Sequence, residues 1–158
     1  MRKSSRTTIF RRREMIAAVH PISLEQIVFT RTVVVSIPGH TPTPDTIGTA
    51  PENQINVAKV EGFDRKFQVS MRCLLNKDGA ATEPYVIDME AFATLNVDAS
   101  LSDDDAHRGV LITGHSVLYG AIREAVAWIT GRHPYGQLML GLSVLPTTSP
   151  QDQDPKKQ

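Results

Sequence analysis

Residues 102–145 read SDDDAHRGVLITGHSVLYGAIREAVAWITGRHPYGQLMLGLSVL, and this stretch decides the fold. Ser102 followed by Asp103, Asp104 and Asp105 is a helix start. Small oxygen-bearing side chains accept bonds from the first free N–H groups, and acids favour the positive end of the helix dipole. Apolar residues then recur at helical spacing at Leu111, Leu118, Ile122, Ala125 and Ile129, with Val110, Val117, Ala121 and Trp128 alongside. Gly131 stops the helix and Pro134 bars its return. Leu138, Leu140 and Leu142 then alternate, which predicts a half-buried strand.

The apolar face of this helix is wider than one sheet needs. The excess predicts a second surface to bury, so Leu111, Leu118, Ile122, Ala125 and Ile129 are expected at an oligomer interface.

Upstream, two alternating runs flank a turn. Phe67, Val69, Met71, Cys73 and Leu75 share one face of the first; Tyr85, Ile87, Met89, Ala91, Ala93, Leu95 and Val97 share one face of the second. Asn76-Lys77-Asp78-Gly79 begins the turn between them, so the pair reads as an antiparallel hairpin. Phe92 and Val86 stand on its polar face. Residues 23–37 read as a further strand. Ile27, Phe29, Val33, Val35 and Ile37 lie on one side of it, interrupted by Arg31, and Val28 and Val34 on the other. From Pro38 to Asn53, four prolines and two glycines make a long crossover and no element.

The ends differ from the middle. Residues 1–14 carry six basic groups and one acid, which leaves the rest of this formally neutral chain at −5. Residues 1–20 read as a basic arm, 21–146 as one domain, and 147–158 as a polar tail. A mildly acidic body is not a nucleic-acid surface. No apolar run approaches the roughly 20 residues of a membrane helix. Cys73 is the one cysteine, which rules out an internal disulfide and suits a reducing cytoplasm.

Chemistry is sparse. His107 and His115 are eight residues apart on a helix, too far to share an ion, and the aspartates are explained by capping. Gly114-His115-Ser116 lies inside the helix pattern, not at a strand-to-helix elbow. Neither a phosphate loop nor a dinucleotide fingerprint is present. No catalytic residue, no metal and no cofactor are expected.

Val117-Leu118-Tyr119-Gly120-Ala121-Ile122-Arg123-Glu124, then Arg132, then Tyr135-Gly136-Gln137-Leu138-Met139-Leu140, resembles the SecB family of protein-export chaperones in order and spacing. The strand ending at Pro38, the proline-bearing crossover and the hairpin with Met89-Glu90 resemble it too, so the similarity spans about residues 22–145. Gly120 and Gly136 stand where that family has proline. Pro146 opens a polar tail where the family has a second long helix. The family docks the SecA motor through acids on its first strand; here Thr32 and Ser36 stand near that strand's end.

The resemblance implies an α+β fold with a four-stranded antiparallel sheet and one long helix on one face. It also implies a homo-tetramer built as a dimer of dimers, and ATP-independent holding of unfolded clients in apolar grooves, for export or to guard an antitoxin. SecA would be a partner only if the changed first strand still docked it. Groove candidates are Val28, Val34, Phe92, Tyr119 and Trp128. Tyr119 and Trp128 lie half a turn apart in phase, so they cannot both face the sheet. Two other readings compete: an adaptor of the same fold with one dedicated partner, and a small-molecule or enzymatic α+β domain, which would need a deep polar-lined pocket.

Overall fold

A computed structural model describes residues 19–41, 50–77 and 83–145. Its elements run β1 (Ile22–Ser36), β2 (Glu52–Lys59), β3 (Lys66–Leu75), β4 (Tyr85–Val97) and α1 (Asp103–Thr130). The strands form one sheet in the order β1-β4-β3-β2, and every neighbouring pair is antiparallel. The proline-bearing crossover therefore carries the chain from one edge of the sheet to the other. The expected arm and tail lie outside the described residues, Val19 and His20 excepted, as does the expected absence of a second helix after Pro146.

The β3–β4 hairpin forms as its alternation predicts. Directly opposed residues share a face, and Phe67, Val69, Met71, Cys73 and Leu75 meet Leu95, Ala93, Ala91, Met89 and Ile87. Except for half-buried Phe67, these residues are buried beneath α1 and form the centre of the core. Asn76 begins the turn in the left-handed region, φ 54°, which asparagine tolerates better than most residues. Its amide donates to the carbonyls of Glu83 and Tyr85 at 2.7 and 3.1 Å, closing the hairpin end.

Strand β1 departs from simple alternation. Its register against β4 shifts between Leu24 and Gln26 and again between Phe29 and Arg31. Each bulge adds one residue and reverses which face the following residues take. Leu24, Ile27, Phe29, Thr32 and Val34 consequently face the helix, opposite Leu95, Ala93, Ala91, Met89 and Ile87. Val28, Arg31, Val33 and Val35 face outward, opposite Phe92, Glu90, Asp88 and Val86. This corrects the sequence reading, which grouped Val33 and Val35 with Ile27 and Phe29. Arg31 does not interrupt the apolar face; the bulge carries it to the other side, where it meets Asp88 at 3.3 Å.

The fourth strand is also not the one expected. Residues 138–142 are extended but pair with no strand. The fourth strand is β2, whose Ile55 and Val57 face the helix while Gln54 and Asn56 face away. That four-residue alternation is weak against the polar background of 50–66. The leucine run is stronger in sequence, yet its carbonyls at Leu140 and Gly141 are bonded by side chains of α1.

Helix α1 starts as predicted. Ser102 Oγ accepts from the Asp105 N–H at 3.2 Å. Gly131 ends the helix in a right-handed conformation, φ −59°. The left-handed residue is Gly136, φ +79°, a region that disfavours residues with a Cβ. Its carbonyl accepts the Tyr85 hydroxyl at 2.6 Å, which ties the turn after the helix to the sheet.

Candidate functional site

The two flanks of α1 are finished differently. Toward β2, residues 137–145 lie along the helix as an extended strap, held by side chains at regular helical intervals. Arg123 Nε donates to the Leu140 carbonyl at 2.8 Å, and the Tyr119 hydroxyl donates to the Gly141 carbonyl at 2.7 Å. His115 Nε2 lies 3.0 Å from Ser143 Oγ, and Asn53 of β2 donates to the same oxygen at 3.2 Å. Positions 115, 119 and 123 fall on one line of the helix, four residues apart. At the strap's start, Thr130 Oγ1 accepts from the Leu138 N–H at 2.9 Å. Leu140 is the strap's anchor, 3 % exposed and part of the core.

Toward β1 no segment of the described residues covers the helix. Val117 and Ala121 lie across α1 from Tyr119, on the flank toward β1, whereas Trp128 is on the outer face of the helix, in a shallow concavity shared with Arg123 and Met139. Trp128 is 62 % exposed, and its ring stacks on the Arg132 guanidinium at 4.0 Å. On the same layer, Phe29 and Leu24 are 38 % and 45 % exposed. Apolar surface on the helix layer thus comes from both a sheet edge and a helix, and the described residues leave it exposed.

The expected site residues divide accordingly. Leu118 and Ile122 are fully buried against the sheet as core residues of the single chain. Their phase puts them at the centre of the buried stripe, not its border. Leu111, Ala125 and Ile129 are half-buried at that border and remain accessible. Among the groove candidates, Tyr119 is buried beneath the strap, its ring stacked on His115 at 6.0 Å between centroids. Val34 is half-buried against the core. Val28 and Phe92 are cross-strand neighbours on the outward face. The five candidates thus lie in four places and do not form one groove. Arg123 and His115 carry the strap and were not singled out as site residues; their spacing with Tyr119 was the available signal.

The outward face of the sheet is neutralised internally. Asp88 takes two bonds from Arg72 at 2.8 Å and one from Arg31 at 3.3 Å. The Arg72 hydrogen bonds hold its carboxyl below the usual range against the opposing effect of burial. Beside Phe92, Lys66 pairs with Glu25 at 2.8 Å and lies 4.8 Å from the Phe63 ring centre.

Among the described residues no group of three His, Cys, Asp or Glu side chains could hold a metal ion. Burial pushes the Cys73 thiol up to about 11, away from the reactive thiolate. The concave region beside Trp128, about 420 Å³ and lined by Gly120, Arg123, Ala127 and Met139 among others, is shallow and open. It is not the deep enclosed pocket a small-molecule enzyme needs. No described helix is long and apolar enough to cross a membrane.

Burial holds the His115 imidazole below its ordinary value of 6.5. The unfolded chain therefore binds a proton there more readily than the folded one, and stability rises with pH through that window. The contribution is fully present above pH 6.5 and is lost as pH falls below it. Denaturant midpoints taken between pH 5 and 7.5 should fall on the acid side, and His115→Gln should flatten that part of the slope. An unchanged slope in the variant would mean that His115 is not the group titrating.

No protein-family profile matches the sequence, nor does any curated protein sequence at a significant level. Solved structures do match. A SecB-like chaperone of Mycobacterium tuberculosis, in complex with a peptide from an antitoxin, superimposes with a TM-score of 0.58 at 23 % identity, covering 80 % of this chain and 93 % of that one. A protein of unknown function from Streptococcus agalactiae gives 0.51 at 10 % identity, covering 80 % and 100 %. The chain has a SecB-like fold, as the resemblance in its sequence implied.

Proposed function

We propose that this SecB-fold chain is an ATP-independent holdase that binds extended, unfolded polypeptide in the cytoplasm, for export or to protect an antitoxin. The observation that carries this reading is the apolar surface the described residues leave exposed on the helix layer, Leu24 and Phe29 on β1 and Trp128 on the outer face of α1. Apolar surface of that kind contributes roughly 25 cal/mol for each Å² removed from water, without any need for specific chemistry. The structural neighbour solved with an antitoxin peptide supports a polypeptide as ligand. Self-association into a tetramer of about 70 kDa, four times 17.4 kDa, belongs to the same reading. SecA does not: the acid on the outward side of β1, Glu25, is paired with Lys66 at 2.8 Å, and the central Asp88 is engaged by Arg72 and Arg31.

The test is light scattering from a chemically unfolded, unrelated protein diluted into buffer with and without this chain. Suppression near equimolar ratios is the expected result. An effect confined to a single partner would replace the holdase with a dedicated adaptor, the second reading that the antitoxin-bound neighbour favours. Aggregation that proceeds undisturbed with every client, together with no partner bound, would remove both readings.

A further inference from the structure

The strap formed by residues 137–145 is an unusual way to finish a fold. Among the described residues it makes no backbone-to-backbone hydrogen bond. Its carbonyls at Leu140 and Gly141 are taken instead by the Arg123 and Tyr119 side chains. It also spends apolar residues poorly. Leu140 is buried, but Leu142 and Val144 are 87 % and 82 % exposed, and Met139 is exposed too. Beneath it, Asn53 presents a buried carbonyl oxygen that has no partner among the described residues, while its N–H₂ is used on Ser143.

We propose that the strap is a resident stand-in for ligand: it fills a groove between α1 and β2 that takes extended apolar peptide, and Tyr119 and Arg123 are the side chains that hold such a peptide by its backbone, with His115 adding a bond to a side-chain hydroxyl where the peptide offers one. This deepens the holdase reading and rests on it for the identity of the ligand. Three features support it. Side-chain bonds to backbone carbonyls are blind to sequence, because every peptide offers those carbonyls. The strap's own sequence, Leu-Met-Leu-Gly-Leu-Ser-Val-Leu, is of the apolar extended class a holdase would bind. Since the strap pairs with no strand, a competing peptide can replace its bonds one for one, and its backbone N–H can reach the free Asn53 oxygen.

An occupied groove lowers apparent affinity by the fraction of chains in which it is open. The strap is therefore autoinhibitory, and loosening it raises affinity. The probe is a fluorescein-labelled peptide with the sequence of residues 137–145, titrated by anisotropy against the full chain. Leu140→Asp removes the strap's anchor and should bind the probe about tenfold tighter or more. Ser143→Ala removes only the His115 and Asn53 ties; it should shift affinity in the same direction by less, and serves if Leu140→Asp melts. Adding Tyr119→Phe to whichever loosened variant folds should weaken the probe again, because Tyr119 then serves the peptide.

Equal affinity in the wild type and both loosened variants overturns the proposal, as does a probe that no variant binds. The aggregation assay run on the same proteins separates this failure from the other. Suppression by the wild type with no gain in probe affinity leaves the holdase standing and removes the strap's role. Tighter probe binding with no suppression by any variant does the reverse.

Discussion

Gly114→Val will destabilise the fold by about 3 kcal/mol, lowering the thermal midpoint by on the order of 10 °C. A Cβ at position 114 would stand 2.7 Å from both γ-carbons of Val69 and 2.8 Å from its Cβ. Val69 is fully buried in the middle of β3 and branches at Cβ, so it cannot swing aside. The helix would have to lift off the sheet, exposing the core on both sides of the contact. Two other glycines of α1 supply the controls. At Gly109 the obstacle is only the Cδ1 of Ile22, the far end of a side chain that can turn, so Gly109→Ala should be close to neutral. At Gly120 nothing lies within 4 Å. Gly120→Ala should therefore stabilise the free chain by up to about 1 kcal/mol, the helix-propensity gain alone. Denaturant midpoints for the three variants should fall in the order 120, 109, 114. A Gly114→Val protein as stable as the wild type would mean that α1 does not cross β3 at this point.

The sequence carried the helix and the hairpin well because each obeys one period throughout. Ser102 to Thr130 keeps a helical repeat with a cap, and Phe67 to Val97 keeps a period of two on both arms, so the local signals agree with the final packing. Strand β1 shows where such reasoning stops. A bulge adds one residue at a point that leaves no mark in composition, and Val33, Val34 and Val35 look alike on either face. The β2 strand was hidden for another reason: its apolar side is only Ile55 and Val57, and its ladder comes from β3. The strap was misread as a strand because alternation reports which side chains are buried, not what the backbone is bonded to. Leu140 points inward as a strand residue would, but its carbonyl is bound by Arg123. For the candidate site, helical phase separated Tyr119 from Trp128 correctly. It could not show that a later segment would lie over Tyr119.

Phe29→Asp should abolish self-association, and it tests where the subunits meet. Phe29 is on the helix-facing side of β1, opposite Ala91 and immediately before the second bulge. In one chain it is 38 % exposed and adjoins the flank of α1 that carries no strap. If that flank is the subunit interface, an aspartate there would be desolvated without a partner, against a wild-type residue that contributes buried apolar area. Association should weaken about 10²- to 10³-fold, or roughly 3–4 kcal/mol, enough to convert an assembly at micromolar concentration into monomers. Light scattering would read 17.4 kDa where the wild type reads a multiple of it. Val35→Asp is the matched control: Val35 is equally apolar and on the same strand, but it faces outward opposite Val86. Its mass should stay that of the wild type. Monomers from Val35→Asp and not from Phe29→Asp would put the interface on the outward sheet face. A wild type already at 17.4 kDa would leave the Leu24–Phe29 flank to client alone. The loss on Phe29→Asp would then appear in aggregation suppression, with no change in mass.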